Sequence, residues 1–166
     1  MNRIKVINDP VELVVLLRAT DTDVKREVLQ ELATDWKTMD DIVAKYGEEG
    51  KRALIFFEKA KLVETKWLTV EGQQPKKAYK TLYTSFHVNI SCNIIEITDI
   101  LAAAVMDEKK FKEIEKKIYD MAGESGIFAG DVEKSLNISS LMLRSLIKRS
   151  SMLEYKGHRI ERVKEE

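Results

Sequence analysis

The side chains here that could do chemistry are basic ones at helical and hairpin spacing, and the chemistry they suit is contact with phosphate oxygens and base edges. Lys51, Arg52, Ile55 and Lys59 fall on the outward side of one segment, with Glu58 among them. Lys76, Lys77 and Lys80 follow a glycine-proline turn, and from Lys59 to Lys80 six lysines face two glutamates. Arg144, Lys148, Arg149 and Arg159 repeat the arrangement near the other end, where seven Lys/Arg between Ile138 and Lys164 face two glutamates. The plainer reading of both clusters is solvated surface charge, and Glu48, Glu49 and Glu58 dilute Lys51 and Arg52.

Other chemistries find little support. His87, Cys92 and His158 are the only soft metal ligands; His87 and Cys92 are five apart and would face opposite sides of a strand, so no metal site is expected. One cysteine excludes an intramolecular disulfide. No glycine-rich phosphate loop, metalloprotease helix or nucleophile elbow occurs, so neither an enzyme nor a bound cofactor is expected. Trp36 reads as a helix-end packing residue and Trp67 as a sheet residue, rather than as a stacking platform.

The first basic cluster is positioned by residues Thr38–Tyr83. Thr38 suits a helix cap, with Asp40 and Asp41 at the positive end, and Met39, Ile42, Val43 and Tyr46 make one apolar face. Gly47 ends that helix and Gly50–Ala60 forms a second, with Ala53, Leu54, Phe57 and Ala60 inward and Leu62 closing the stripe. Val63–Val70 and Lys77–Thr84 then pair across Glu71–Pro75 as a hairpin. That order is a helix-turn-helix followed by a wing.

Upstream, Ile4 and Val6 alternate as a strand or a docked arm, Asp9-Pro10 starts one helix and Asp21–Asp23 another, and both are assigned to the same winged domain. Phe86–Cys92 alternates as a third strand or an extended linker. Ile94–Met106 is apolar nearly all round, which predicts a buried helix, either in an interdomain core or at a dimer interface. Beyond Asp107 come a helix with Phe111, Ile114, Ile118 and Met121 inward, a short helix, a turn at Asn137, and a helix over Ser139–Ser150. Leu141, Met142, Ser145 and Leu146 are its inward residues, and a glycine hairpin at Lys156-Gly157 closes a second, smaller winged unit.

The expected fold is mostly α with small β-wings (α+β): tandem winged helix-turn-helix units joined by a buried central helix. The domains are 1–92, a central helix over 93–107, and 108–166. The chain has 28 basic and 28 acidic residues, which argues against a polycationic, indiscriminate binder but not against a site-specific one. No signal-like stretch opens it, and Ile94–Met106 is too short to cross roughly 30 Å of hydrocarbon. A cytoplasmic protein without membrane contact is expected.

Asp9-Pro-Val-Glu-Leu13, Thr22–Val28, Trp36–Gly50, Phe86–Cys92, Phe128–Asp131 and Lys156–Ile160 together give a chain that resembles the archaeal ArsR-like winged-helix transcription regulators. It is similar to the euryarchaeal group that includes the activator of archaellum genes. The resemblance implies double-stranded DNA as partner, action near promoters, and help in recruiting the basal transcription machinery. The paired recognition-helix cysteines of metal-sensing members are absent from Gly50–Ala60, so thiolate sensing does not carry over. On this reading Lys51, Arg52 and Ile55 serve recognition, Lys59 is a further DNA-binding residue, and Lys76, Lys77 and Lys80 clamp the backbone. The second unit either adds DNA contacts through Arg144, Lys148, Arg149 and Arg159 or docks a protein. A homodimer is expected for a repeated half-site. The rival readings are a protein-binding scaffold of a transcription assembly, and a ligand- or redox-responsive repressor.

Overall fold

A computed structural model describes residues 2–164. The elements in chain order are β1 (Ile4–Ile7), α1 (Glu12–Ala19), α2 (Asp23–Thr34), β2 (Lys37–Thr38), α3 (Met39–Lys59), β3 (Val63–Leu68), β4 (Lys76–Thr81) and β5 (Ser85–Val88). They continue with α4 (Ile94–Val105), α5 (Glu108–Ala122), β6 (Ile127–Phe128), α6 (Ala129–Leu136), α7 (Ser140–Arg149), β7 (Leu153–Lys156) and β8 (Arg159–Arg162). The fold is mixed α and β, mainly helical with two small antiparallel sheets and one parallel strand pair. It divides into two compact units: one gathers the segment up to Ile7 with Ala19–Asn89, the other Asn8–Arg18 with the chain from Ile90 on.

In the first unit, Thr22 caps α2 by accepting from the Lys25 amide (3.2 Å), and Val28 and Leu32 form its buried face. A reciprocal capping box starts α3: Thr38 Oγ1 accepts from the Asp41 amide (3.2 Å) and Asp41 Oδ2 from the Thr38 amide (2.9 Å). Gly47 breaks α3 with φ +64° and ψ −149°, a backbone state open essentially to glycine alone. Gly50 resumes it in tight contact, since a Cβ there would stand 2.7 Å from Tyr46 Cβ and 2.8 Å from Ile42 Cγ2. Its two halves are therefore the helix, turn and helix expected at Thr38–Ala60. Ala53, Leu54 and Phe57 are buried as expected; Phe56 joins them edge-on to Phe57, while Ala60 is only half-buried.

β3 and β4 pair antiparallel from Val63↔Thr81 to Leu68↔Lys76, with β2 on the other edge of β4. The hairpin thus ends two residues short of the expected Val70. β1 is a strand rather than an arm, and it pairs in parallel with β5, Ile4 opposite Ser85, in a sheet of its own. Ile4, Val6, Phe86 and Val88 on this ribbon are exposed.

In the second unit, α1 departs from expectation: Val11 and Val14 are buried against Ile100 and Ala104 of α4, so this helix is not part of the first unit's core. α4 also departs. Ile100, Ala103 and Ala104 are buried, but Ile94 and Val105 are each 76% exposed, and Ile95 and Leu101 are exposed as well. An apolar helix here has one stripe covered within the chain and one stripe open. The rest of the unit closes on Ile118, Val132, Leu143, Ile147, Leu153 and Ile160. β6, β8 and β7 form its sheet, and Gly157 takes φ +61° in the β7–β8 turn.

Candidate nucleic-acid interface

The second half of α3 presents Lys51, Arg52 and Ile55 to solvent while Ala53, Leu54 and Phe57 anchor its back. Lys59 is half-buried at the last turn. A polar clamp fixes the first half of α3 on α2: the Glu31 carboxylate accepts from both Lys45 Nζ and Tyr46 Oη. The Lys45 hydrogen bond, then the Tyr46 one, holds the Glu31 carboxyl below its ordinary range. The Thr38 backbone amide does the same for Asp41.

The hairpin lysines are partly engaged. Lys77 donates to Glu58 of α3 and lies 5.7 Å from the centre of the Tyr79 ring, so it ties the hairpin to α3. Lys76 pairs with Asp40 at 2.9 Å, and Lys80 is half-buried. Surface pairs of this kind are worth about 0–1 kcal/mol, so a phosphate can take either lysine at small cost. Lys66 sits over the Trp36 ring at 4.1 Å. Trp67, expected as a sheet residue, lies in β3 and is 66% exposed. Strand parity gives no signal of this exposure, because Trp67 lies on the same side of β3 as the buried Val63.

The second unit treats its candidates differently. Arg149 is 4% exposed and is corrected from a surface contact to a structural residue. It donates to the carbonyls of Ala103 (3.0 Å) and Met106 (2.7 Å) and to Glu108 (2.8 Å), and its guanidinium stacks 4.3 Å from the Phe111 ring centre. Arg18 joins it, reaching the Ala104 carbonyl and Glu108, both at 3.3 Å. These cations cap the end of α4, whose own last turn carries none. Arg144 pairs with Asp9 (2.9 Å) and Lys148 with Glu12 (3.0 Å), so acidic residues at the start of α1 cover the basic stripe of α7. Arg159 donates to the carbonyls of Ser125 (3.1 Å) and Gly126 (2.9 Å).

A cavity of about 470 Å³ beside that stripe is lined by Ser140, Arg144, Lys148, Tyr155, His158 and Glu133 among others. The Tyr155 hydroxyl is buried without a protein partner, and burial pushes its pKa up to about 12. Among the described residues no group of three or more His, Cys, Asp or Glu side chains could hold a metal ion, and no helix is long and apolar enough to cross a membrane.

A glycine-jointed helix pair whose second member shows a basic stripe, followed at once by a lysine-bearing hairpin, is the architecture of a groove-reading protein. The family model described as ArsR transcriptional regulator matches residues 7–164, and the chain belongs to that family. Its class is therefore that of a DNA-binding transcriptional regulator. No curated protein matches the chain.

Proposed function

We propose that the first unit is a winged helix-turn-helix that reads a specific duplex sequence. The second half of α3 enters the major groove, Lys51, Arg52 and Ile55 meet base edges, and Lys76, Lys77 and Lys80 hold the flanking phosphates. The observation that carries this is the exposed Lys51-Arg52-Ile55 stripe on a helix whose opposite side, Ala53, Leu54 and Phe57, is fully buried. The open stripe of α4 with Ile94, Ile95, Leu101 and Val105 suits a two-fold contact with a second chain, which would match a repeated half-site. The second unit repeats the helix, strand, two helices and hairpin order of the first. With Arg149 buried and Arg144 and Lys148 paired inside the chain, it is better suited to docking protein than to gripping phosphate. On this reading the protein acts near promoters as an activator that helps recruit the basal transcription machinery.

Selection of sites from random duplex, followed by a footprint, tests the reading. A single recurrent motif is expected, and the Lys51→Ala/Arg52→Ala protein should lose about 2–5 kcal/mol of the affinity for it. Equal binding by parent and double variant would refute the assignment of α3.

A further inference from the structure

We infer that the cavity of the second unit is a binding site for a small aromatic carboxylate carrying a hydrogen-bond donor at its far end. The inference is independent of the reading of α3, so either can fail without the other. The cavity holds about 470 Å³, within the roughly 300–1,000 Å³ usual for small-molecule sites. Its wall brings together Phe128 of β6, Gly130 and Glu133 of α6, Arg144 and Lys148 of α7, and Tyr155 of β7. An aromatic ring, two cations, one acid and one phenol thus converge on a single space.

Each group narrows the ligand. Phe128 is 50% exposed, and its ring is seated on Gly130, where a Cβ would stand 2.7 Å from Cε1. A seated, half-exposed ring in a cavity wall offers a face to another ring. Arg144 gives Nη2 to Asp9 at 2.9 Å, and Lys148, one turn on, gives Nζ to Glu12 at 3.0 Å, so this side of α7 already holds carboxylates. The Arg144 and Asp9 side chains are 44% and 46% exposed, and a pair so open is weak. A ligand carboxylate can therefore take the place of Asp9 on the planar fork of Arg144. A doubly charged phosphate fits less well, because Asp9, Glu12 and Glu133 would crowd it with like charge. Glu133 suits a ligand O–H or N–H instead, which sets the donor at the end away from the carboxylate. The Tyr155 hydroxyl is buried without a protein partner and feels the charges of both Glu133 and Arg144. Burial keeps it protonated, and an orphaned buried donor is uncommon in a folded protein; a ligand oxygen would complete it.

The test is isothermal titration of the full chain with p-hydroxyphenylacetate, with phenylacetate, p-cresol and inorganic phosphate as comparisons. Saturable binding with a Kd of about 0.1–1 mM is expected for the first, several-fold weaker for phenylacetate, and at least about tenfold weaker for the other two. Arg144→Gln should weaken binding about tenfold, and Asp9→Asn, which releases Arg144, should tighten it about threefold. Gly130→Ala favours the helix, so the chain still folds, but the new Cβ unseats the Phe128 ring and should weaken binding several-fold. Absence of saturable binding by the parent at about 10 mM would overturn the inference, since a ligand this small cannot hold a site more weakly than that to any use. Binding that stays within twofold in both Arg144→Gln and Gly130→Ala would place the ligand elsewhere and overturn it too. Equal binding of p-cresol would reject the carboxylate, and equal binding of phosphate would reduce the site to a plain anion patch.

Discussion

Replacing Arg149 with alanine separates a structural cation from a phosphate contact. The substitution removes donors to the Ala103 and Met106 carbonyls, the Glu108 bond and the stacking on Phe111. Glu108 keeps Arg18 and is largely solvated, so no isolated buried charge is left behind. The cost therefore comes from two orphaned carbonyls at the end of α4 and from the space left beside Phe111, together about 3 kcal/mol. For a unit of under about 100 residues this lowers the melting temperature by roughly 10–20 °C. Differential scanning calorimetry of the full chain should show that loss in one transition, and Arg149→Lys, which restores a single charged donor, should recover only part of it. Duplex affinity measured well below the transition should match the parent with an unchanged salt slope. A variant that melts within about 2 °C of the parent but binds duplex more weakly, with a shallower salt slope, would refute the assignment and return Arg149 to the surface.

Tyr155 gives a second, pH-dependent expectation. Its folded pKa is raised to about 12, so its contribution is fully present below the ordinary value near 10 and is lost as pH rises toward 12. Tyr155→Phe should flatten that alkaline loss and leave neutral-pH stability equal or about 1 kcal/mol higher, because the buried hydroxyl has no protein partner; chemical denaturation at pH 7 and pH 11 checks both. Asp41 works in the opposite direction: with its pKa lowered, the cap is intact above about pH 4 and fails as pH falls through the folded value, so Asp41→Asn should blunt acid unfolding. Thr38→Ala should cost about 1 kcal/mol at neutral pH, read from the denaturation midpoint. Asp9→Asn/Glu12→Gln uncovers Arg144 and Lys148 and should steepen the salt dependence of non-specific duplex binding by up to about two, read from a log–log plot of affinity against salt.

The parts of the fold legible in the sequence are those with short-range causes. Thr38, Gly47 and the turn before Lys76 act on their neighbours, so the helix-turn-helix and the hairpin were readable within a few residues. α1 was misplaced because nothing in Glu12–Ala19 says which apolar face, some 90 residues on, will take Val11 and Val14. Arg149 was misread although its spacing was informative. It follows Met142 by seven and Leu146 by three, which puts it on the inward stripe, while its charge points to the surface. Trp67 was legible as a sheet residue, but its exposure was not, because it lies on the same side of β3 as the buried Val63.

The discontinuity of the second unit has a practical side. Asn8–Arg18 is made early and completes a structure whose other parts come after Ile90. A fragment beginning at residue 90 would leave Ile100 and Ala104 without the side chains that cover them, and would strip Asp9 and Glu12 from Arg144 and Lys148. Dissection of this protein by simple truncation would thus damage the half it was meant to isolate. A faithful excision would have to splice the early helix back on through a designed linker.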